Sequence, residues 1–325
     1  MAEPLKATFY TLKHRDRAVL APATIVLVVI VAALAAAFVG LNWNMLSHFR
    51  DVFSVNAAQS KDPERAWAFV GGVFGLMGSA FLLMIPLYFA FAAYEAACLR
   101  WMIRGEAPGW FGWRLDHDMW RVYGIYWCWL IARLAVGMAV GILTMPIIFA
   151  TTPIFTNNGA PPDFATVWRW QLTVQLPLSM LQILPLIFIG VRFGPAAATS
   201  IARQRFSLFE AWTVTRGRFW ELLGSFALLW LIAGLALALV VALTTGPILM
   251  QLWPLLQGVW QKPSEADMQA YFAAIFSPQN LVLAGLGYAA YFVVLLGLAL
   301  MSFGVNARAA IAALEEGKIA AAPPQ

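Results

Sequence analysis

Residues 222–250, LLGSFALLWLIAGLALALVVALTTGPILM, run for twenty-nine positions without a charged side chain. A helix of that length rises about 43 Å at 1.5 Å per residue, more than the roughly 30 Å of hydrocarbon in a bilayer. Five further apolar runs occupy 19–41, 67–94, 122–150, 171–194 and 280–304. The expected fold is therefore an all-α integral membrane protein with six transmembrane helices, short loops and a single membrane domain over 1–325. Start signals support these limits. Asp62-Pro63-Glu64 and Ser277-Pro278 each place a capping side chain before a proline at the first helical position, and Asp163 follows Pro161-Pro162 ahead of the fourth run.

The composition leaves little room for another class. Hydrophobic residues make up 62% of the 325-residue chain and charged residues 11%, against roughly 45–50% and about 25% in soluble domains. So few charges cannot cover that much apolar side chain in water, which excludes a soluble enzyme, a disulfide scaffold and a disordered chain. The net charge of +5 comes from basic residues that form no continuous stripe, so nucleic acid is not an expected partner. Cys98 and Cys128 read as small buried hydrophobes.

The basic residues instead set an orientation. One side holds Lys6, Lys13, Arg15, Arg17, Arg100, Arg104, Arg114, Arg121, Arg192, Arg203, Arg205, Arg216, Arg218, Arg308 and Lys318. The other holds Arg50, Lys61, Arg65, Arg169 and Lys262. Fifteen against five places both termini in the cytoplasm. The first run follows a basic segment as a signal peptide would, but it exceeds the usual apolar length of such peptides and reads as a retained span.

A shift of 100 residues lays Ala96-Ala97 on Ala196-Ala197, Trp120 on Trp220 and Gly124 on Gly224. This suggests three repeat units, 1–105, 106–206 and 207–325. Each consists of a short amphipathic interfacial helix, a span, an external loop and a returning span. Ser207 and Glu210 fit a capping box opening the third such interfacial helix. Trp110, Trp113 and Trp120 in the second unit, and Trp212, Arg216, Arg218 and Trp220 in the third, are the candidate lipid-contacting residues.

The stretch Ala196–Gly224 carries small residues, a basic turn, and then Ser207-x-x-x-Ala211-Trp212-x-x-Thr215-x-Gly217-x-Phe219-Trp220. It resembles a pattern in multi-pass bacterial inner-membrane proteins of unassigned function related to the membrane domain of glycerophosphodiester phosphodiesterases. The resemblance covers about thirty residues. It implies a helical fold and location in the bacterial inner (plasma) membrane, and it carries over no catalytic residue.

Chemistry-bearing residues are sparse. His14, His48 and His117 have no metal-ligand spacing, and Asp116-His117-Asp118 reads as a solvated interfacial loop. No phosphate loop and no nucleophile elbow occurs, so neither an enzymatic activity nor a cofactor is expected. Within the spans Arg133 stands out, because a charge at that depth costs roughly 2.5–3.5 kcal/mol even on insertion scales. Glu95 is one candidate partner, and Gln171, Gln175 and Gln182, near one stripe of the fourth span, are others. Together they either lock helices to one another or line a polar crevice. Gly71-x-x-x-Gly75 and Gly137-x-x-x-Gly141 are expected to be close-packing faces. Prolines 86, 146, 177, 185 and 247 lie within or at the ends of spans, and 263–276 reads as a short external helix.

The functional reading from sequence is a non-enzymatic scaffold or accessory protein contacting membrane lipids or other membrane proteins. The rival is a secondary transporter of a small solute or amphiphile, with a polar site around Arg133 and the Gln171/Gln175/Gln182 face.

Overall fold

The computed structural model describes residues 7–13, 17–43, 63–107, 112–152, 164–261 and 265–320. These contain α1 (Tyr10–Lys13), α2 (Arg17–Leu41), α3 (Pro63–Arg104), α4 (His117–Thr151) and α5 (Phe164–Trp170). A π-helical turn (Gln171–Gln175) leads into α6 (Leu176–Phe193). Then follow α7 (Ala196–Arg203), α8 (Glu210–Thr215), α9 (Phe219–Gln261), α10 (Glu265–Ile275) and α11 (Pro278–Glu315). Among the described residues six stretches are long and apolar enough to cross a membrane: Leu20–Leu41, Val70–Arg104, His117–Thr151, Thr166–Arg203, Phe219–Gln257 and Pro278–Glu315. The chain is a multi-pass helical membrane protein.

Several start signals act as their residue types dictate. Ser277 caps α11, accepting from the Asn280 amide, with Pro278 in the first turn. Pro63 opens α3, while Asp62 and Asp163 lie outside the described residues. The short helix expected within 263–276 appears as α10. The π turn sits just before Pro177, which has no amide proton to offer its own turn; the Leu176 amide there reaches back to the Gln171 carbonyl.

The spans run past their expected ends at the basic side: α3 reaches Arg104 rather than 94, and α11 reaches Glu315 rather than 304. The extensions carry the core. Its buried residues include Ala92, Ala93, Ala96, Cys98 and Leu99 of α3, Met119, Val122 and Ile125 of α4, Ala196–Ala198 of α7, and Phe303, Ala307 and Ala310 of α11, joined by Ala23 and Leu27 of α2. Small side chains let the helices converge into a hub at this end. α1 is drawn onto it: Tyr10 Oη donates to the Met102 carbonyl at 3.2 Å, and Thr11 Oγ1 to the Leu300 carbonyl at 2.8 Å. Gly304 makes that approach possible, since a Cβ there would lie 2.1 Å from Thr11 Oγ1.

In the apolar halves many side chains face outward, although α9 and α11 stay in close contact where Gly287 meets Thr244. Phe74, Phe81, Ile142, Leu143, Leu235, Leu243 and Met250 are each more than half exposed, as suits side chains whose solvent is lipid. Two polar clasps hold pairs together there. Asn42, just past α2, exchanges hydrogen bonds with Ser79 of α3 at 2.9 and 3.1 Å, and Asn280 of α11 donates to Gln251 of α9 at 3.0 Å. The expectation of tight packing at Gly71, Gly75 and Gly141 is corrected: a Cβ added at any of them would meet no atom within 4 Å. These glycines sit where the helices have parted, so their missing side chains serve no close approach inside this chain.

The leading segments are also simpler than expected. Where the third expected unit begins the helix is the six-residue α8, at the first it is the four-residue α1, and at the second the described part, 112–116, is not helical. The capping box is absent. Phe209 rather than Ser207 precedes α8, and Ser207 is turned into the core. Its amide donates to Ser200 Oγ at 2.9 Å, while its own hydroxyl is buried with no hydrogen-bond partner. Glu210 instead meets Arg203 at 2.8 Å and Arg205 at 3.2 Å. Two nearby guanidinium groups outcompete a backbone amide for the carboxylate.

Candidate functional site

The strongest concentration of charge is a closed network where α3 meets the start of α4. Arg100, with a fully buried side chain, donates Nη1 to Asp116 and Nη2 to the Gly112 carbonyl at 3.4 Å. Arg104, one turn later, donates Nη2 to Asp118 Oδ2 at 2.6 Å, lies 3.0 Å from Glu106, and donates Nη1 to the Ile201 carbonyl at 3.3 Å. The second oxygen of Asp118 accepts from Arg121 at 2.6 Å. Three arginines and three carboxylates thus neutralise one another. Asp116 also caps α4, accepting from the Asp118 and Met119 amides at 3.1 and 3.2 Å. The reading of Asp116-His117-Asp118 as a solvated loop is therefore corrected. Asp118 is buried and Asp116 holds a buried guanidinium, because a helix start next to a cationic neighbour is where carboxylates are stabilised. A sequence signal for this existed: an aspartate at the head of a helical run, with arginines 100 and 104 spaced i, i+4 on the preceding helix.

Glu95 does not pair with Arg133. Its carboxylate accepts from Tyr126 Oη at 2.5 Å, while the hydroxyl of the preceding residue, Tyr94, lies 2.9 Å from Thr24 Oγ1. Arg133 follows Tyr126 by seven residues on the same stripe of α4, roughly 10 Å deeper. It is exposed, and no ion pair or hydrogen bond holds it among the described residues.

Gln171 and Gln175 are not brought to Arg133 either. Trp170 Nε1 donates to Thr151 Oγ1 at 3.1 Å, which sets the fourth span antiparallel beside the far end of α4. Gln171 then lies at the level of Thr151, roughly 27 Å along the axis from Arg133, and Gln175 roughly 21 Å. Gln171 is exposed and Gln175 half-buried on the π turn; Gln182 continues the chain on α6. The π turn also breaks the regular helical repeat between Gln171 and α6. A single polar crevice formed from these residues is not what the described residues assemble.

At the basic end, exposed aromatic and cationic residues form a collar. Trp120, Trp212, Trp220, Phe206 and Phe209 are exposed, as is Arg216. Trp113 is turned inward, donating Nε1 to the Ala23 carbonyl at 3.2 Å. Arg218 is paired with Glu316, which also meets Lys318 at 2.9 Å. Trp110, like His14 and His48, lies outside the described residues.

One residue was not singled out by sequence. Arg192, near the end of α6, has its guanidinium carbon 4.7 Å from the Trp212 ring centroid, 4.9 Å from Phe219 and 5.7 Å from Phe188. Its Nη1 donates to the Thr215 carbonyl at 3.3 Å, and Thr215 Oγ1 donates back to the Arg192 carbonyl at 3.4 Å. The spacing Phe188–Arg192, one turn apart in an aromatic-rich region, was the available clue.

Comparison with protein-family models, with curated proteins and with solved structures finds no match for this chain.

Proposed function

We propose that this chain is a non-enzymatic membrane scaffold or accessory protein, residing in the bacterial inner membrane with both termini cytoplasmic and contacting lipids and other membrane proteins. The observation that carries this reading is the separation of its intramembrane polar groups. Arg133, Glu95, Gln171 and Gln175 stand at different depths, while the densest charge among the described residues is spent internally in the Arg100–Asp116 and Arg104–Asp118–Arg121 network. A transport path needs polar groups that succeed one another; a scaffold needs a rigid hub and contact surfaces. The collar of Trp120, Phe209, Trp212, Arg216 and Trp220 suits the second role, because amphipathic rings and cations are stable at headgroup depth.

A secondary transporter of a small solute or amphiphile is the second reading. The observation favouring it is the position of Arg133 on the stripe of Tyr126, one step beyond the buried Glu95, where α4 has lost its close neighbours. The two are separated by Arg133→Leu in proteoliposomes. The scaffold reading expects the variant to insert and fold, with no solute flux lost. A saturable flux in the wild-type chain that disappears in the variant overturns it. Reporter fusions at Met1 and Gln325 test the common cytoplasmic side of the termini.

A further inference from the structure

We infer that Arg192 is the anchor of a binding site for the phosphate of an anionic phospholipid. Seven arginines of the basic end have side chains withdrawn at least partly from the surface: 100, 104, 121, 192, 203, 218 and 308. Six of them face a carboxylate: Asp116, Asp118 (shared by two), Glu210, Glu316 and Glu315. Arg192 alone has none among the described residues. A half-buried cation left without a counter-ion is costly, and the structure supplies only partial relief. Three aromatic rings lie within cation–π reach of the guanidinium carbon and stabilise its charge. Within the plane, Nη1 is taken by the Thr215 carbonyl and Nε is buried with no acceptor. The Nη2 end of the fork remains, and a negatively charged oxygen is the acceptor that completes it.

The surroundings select the source of that oxygen. The rings around Arg192 are themselves part of the surface: Trp212 and Phe188 are each over 40% exposed, and Phe209, which meets Phe193 edge to face, is 76% exposed. Arg216, next in sequence to the Thr215 that Arg192 binds, is exposed and adds a second positive charge. A free phosphate would use the cations and leave the rings idle. A phospholipid uses both, with its phosphate on Arg192 and Arg216 and its glycerol and upper acyl chains along Phe188, Phe209 and Trp212. This inference rests on the scaffold reading, which has the chain touch lipid through its collar, and gives that contact one address.

The test is native mass spectrometry of the full chain in mild detergent, titrated with phosphatidylglycerol or with phosphatidylcholine of the same acyl chains. The wild-type chain is expected to retain the anionic lipid preferentially. Arg192→Gln should weaken retention about tenfold, as for the loss of one hydrogen bond to a charged group, and Arg114→Gln, removing an equal charge from an exposed site, should leave it unchanged. Protection of Cys98 from thiol labelling reports whether the hub is intact; if Arg192→Gln exposes it, Arg192→Lys, which keeps the charge but loses the flat stacked fork, is read in its place with the same expected direction. Equal retention by Arg192 variants and the wild-type chain overturns the inference. So does full displacement of the lipid by inorganic phosphate or glycerol phosphate, which would make the ligand a soluble anion. A solute flux in proteoliposomes would overturn the scaffold reading and leave these lipid counts standing.

Discussion

Asp118→Ala is the sharpest way to ask whether the charged network holds the hub together. Asp118 accepts two short charge-assisted hydrogen bonds, from Arg104 and Arg121 at 2.6 Å each, and its side chain is 7% exposed. A hydrogen bond to a charged group contributes about 1.5–3 kcal/mol, and removing one partner of a buried ion pair costs about 3–5 kcal/mol because the other charge is stranded. Two features pull the figure down: Arg104 keeps Glu106 at 3.0 Å, and Arg121 is 23% exposed and can reach outward. The expected cost is therefore about 3 kcal/mol, at the lower bound of that range. The reporter is built in, since Cys98 is fully buried in the hub. In a Cys128→Ser background, maleimide labelling of Cys98 should proceed about 150-fold faster in Asp118→Ala, the factor that 3 kcal/mol of local opening implies. Arg104→Gln combined with Asp118→Ala should cost less than the two separately, because the second change removes a stranded charge. A labelling rate equal to that of the parent, or strict additivity of the pair, would refute the view that this network locks the hub.

Three further outcomes follow from the packing. Gly304→Ala should detach α1, because the new methyl would overlap Thr11; a cost of about 1–3 kcal/mol would show as faster proteolysis ahead of α2 with the hub still protecting Cys98. Ser207→Ala should be neutral or slightly stabilising, since the hydroxyl lost is buried and unbonded, whereas a capping box would have cost about 1 kcal/mol; thermal unfolding in detergent decides between them. Tyr10 has its pKa raised above its ordinary value of 10.0, chiefly because burial disfavours the phenolate, with Arg308 opposing and Glu315 reinforcing. A raised folded-state value means its contribution is fully present below pH 10 and falls away as pH rises through the folded value, so docking of α1 should weaken on the alkaline side and Tyr10→Phe should flatten that limb.

The spans were legible because hydrocarbon imposes one rule on every helix that crosses it, and an apolar run such as 222–250 states that rule directly. Helix ends were less so. Residues 95–104 and 305–315 mix small, charged and polar side chains and read as loop or tail, yet they continue α3 and α11 because a hub of alanines buries them. The site was harder still. Arg133 and Glu95 are conspicuous as isolated charges in apolar text, but which groups meet depends on register between helices, and Tyr126 reached Glu95 first. Ser207 and Glu210 have the right spacing for a cap, but Arg203 and Arg205, a few residues upstream, claimed the carboxylate. Arg192 was lost among fifteen basic residues because its distinction, the lack of a carboxylate opposite, is a property of neighbours rather than of sequence.

The bond from Thr11 to the Leu300 carbonyl spans 289 residues. At the usual ribosomal pace of about 5–20 residues per second, roughly fifteen seconds to a minute separate the emergence of its two ends. For that interval α1 has only its bond to Met102, and the alanine-rich end of α3 has α2, α4 and α7 but not the α11 face that completes the hub. Biogenesis is thereby tied to whatever shelters those segments at the insertion machinery. Shortening the delay by circular permutation, rather than strengthening any contact, would be the direct means of lessening that dependence.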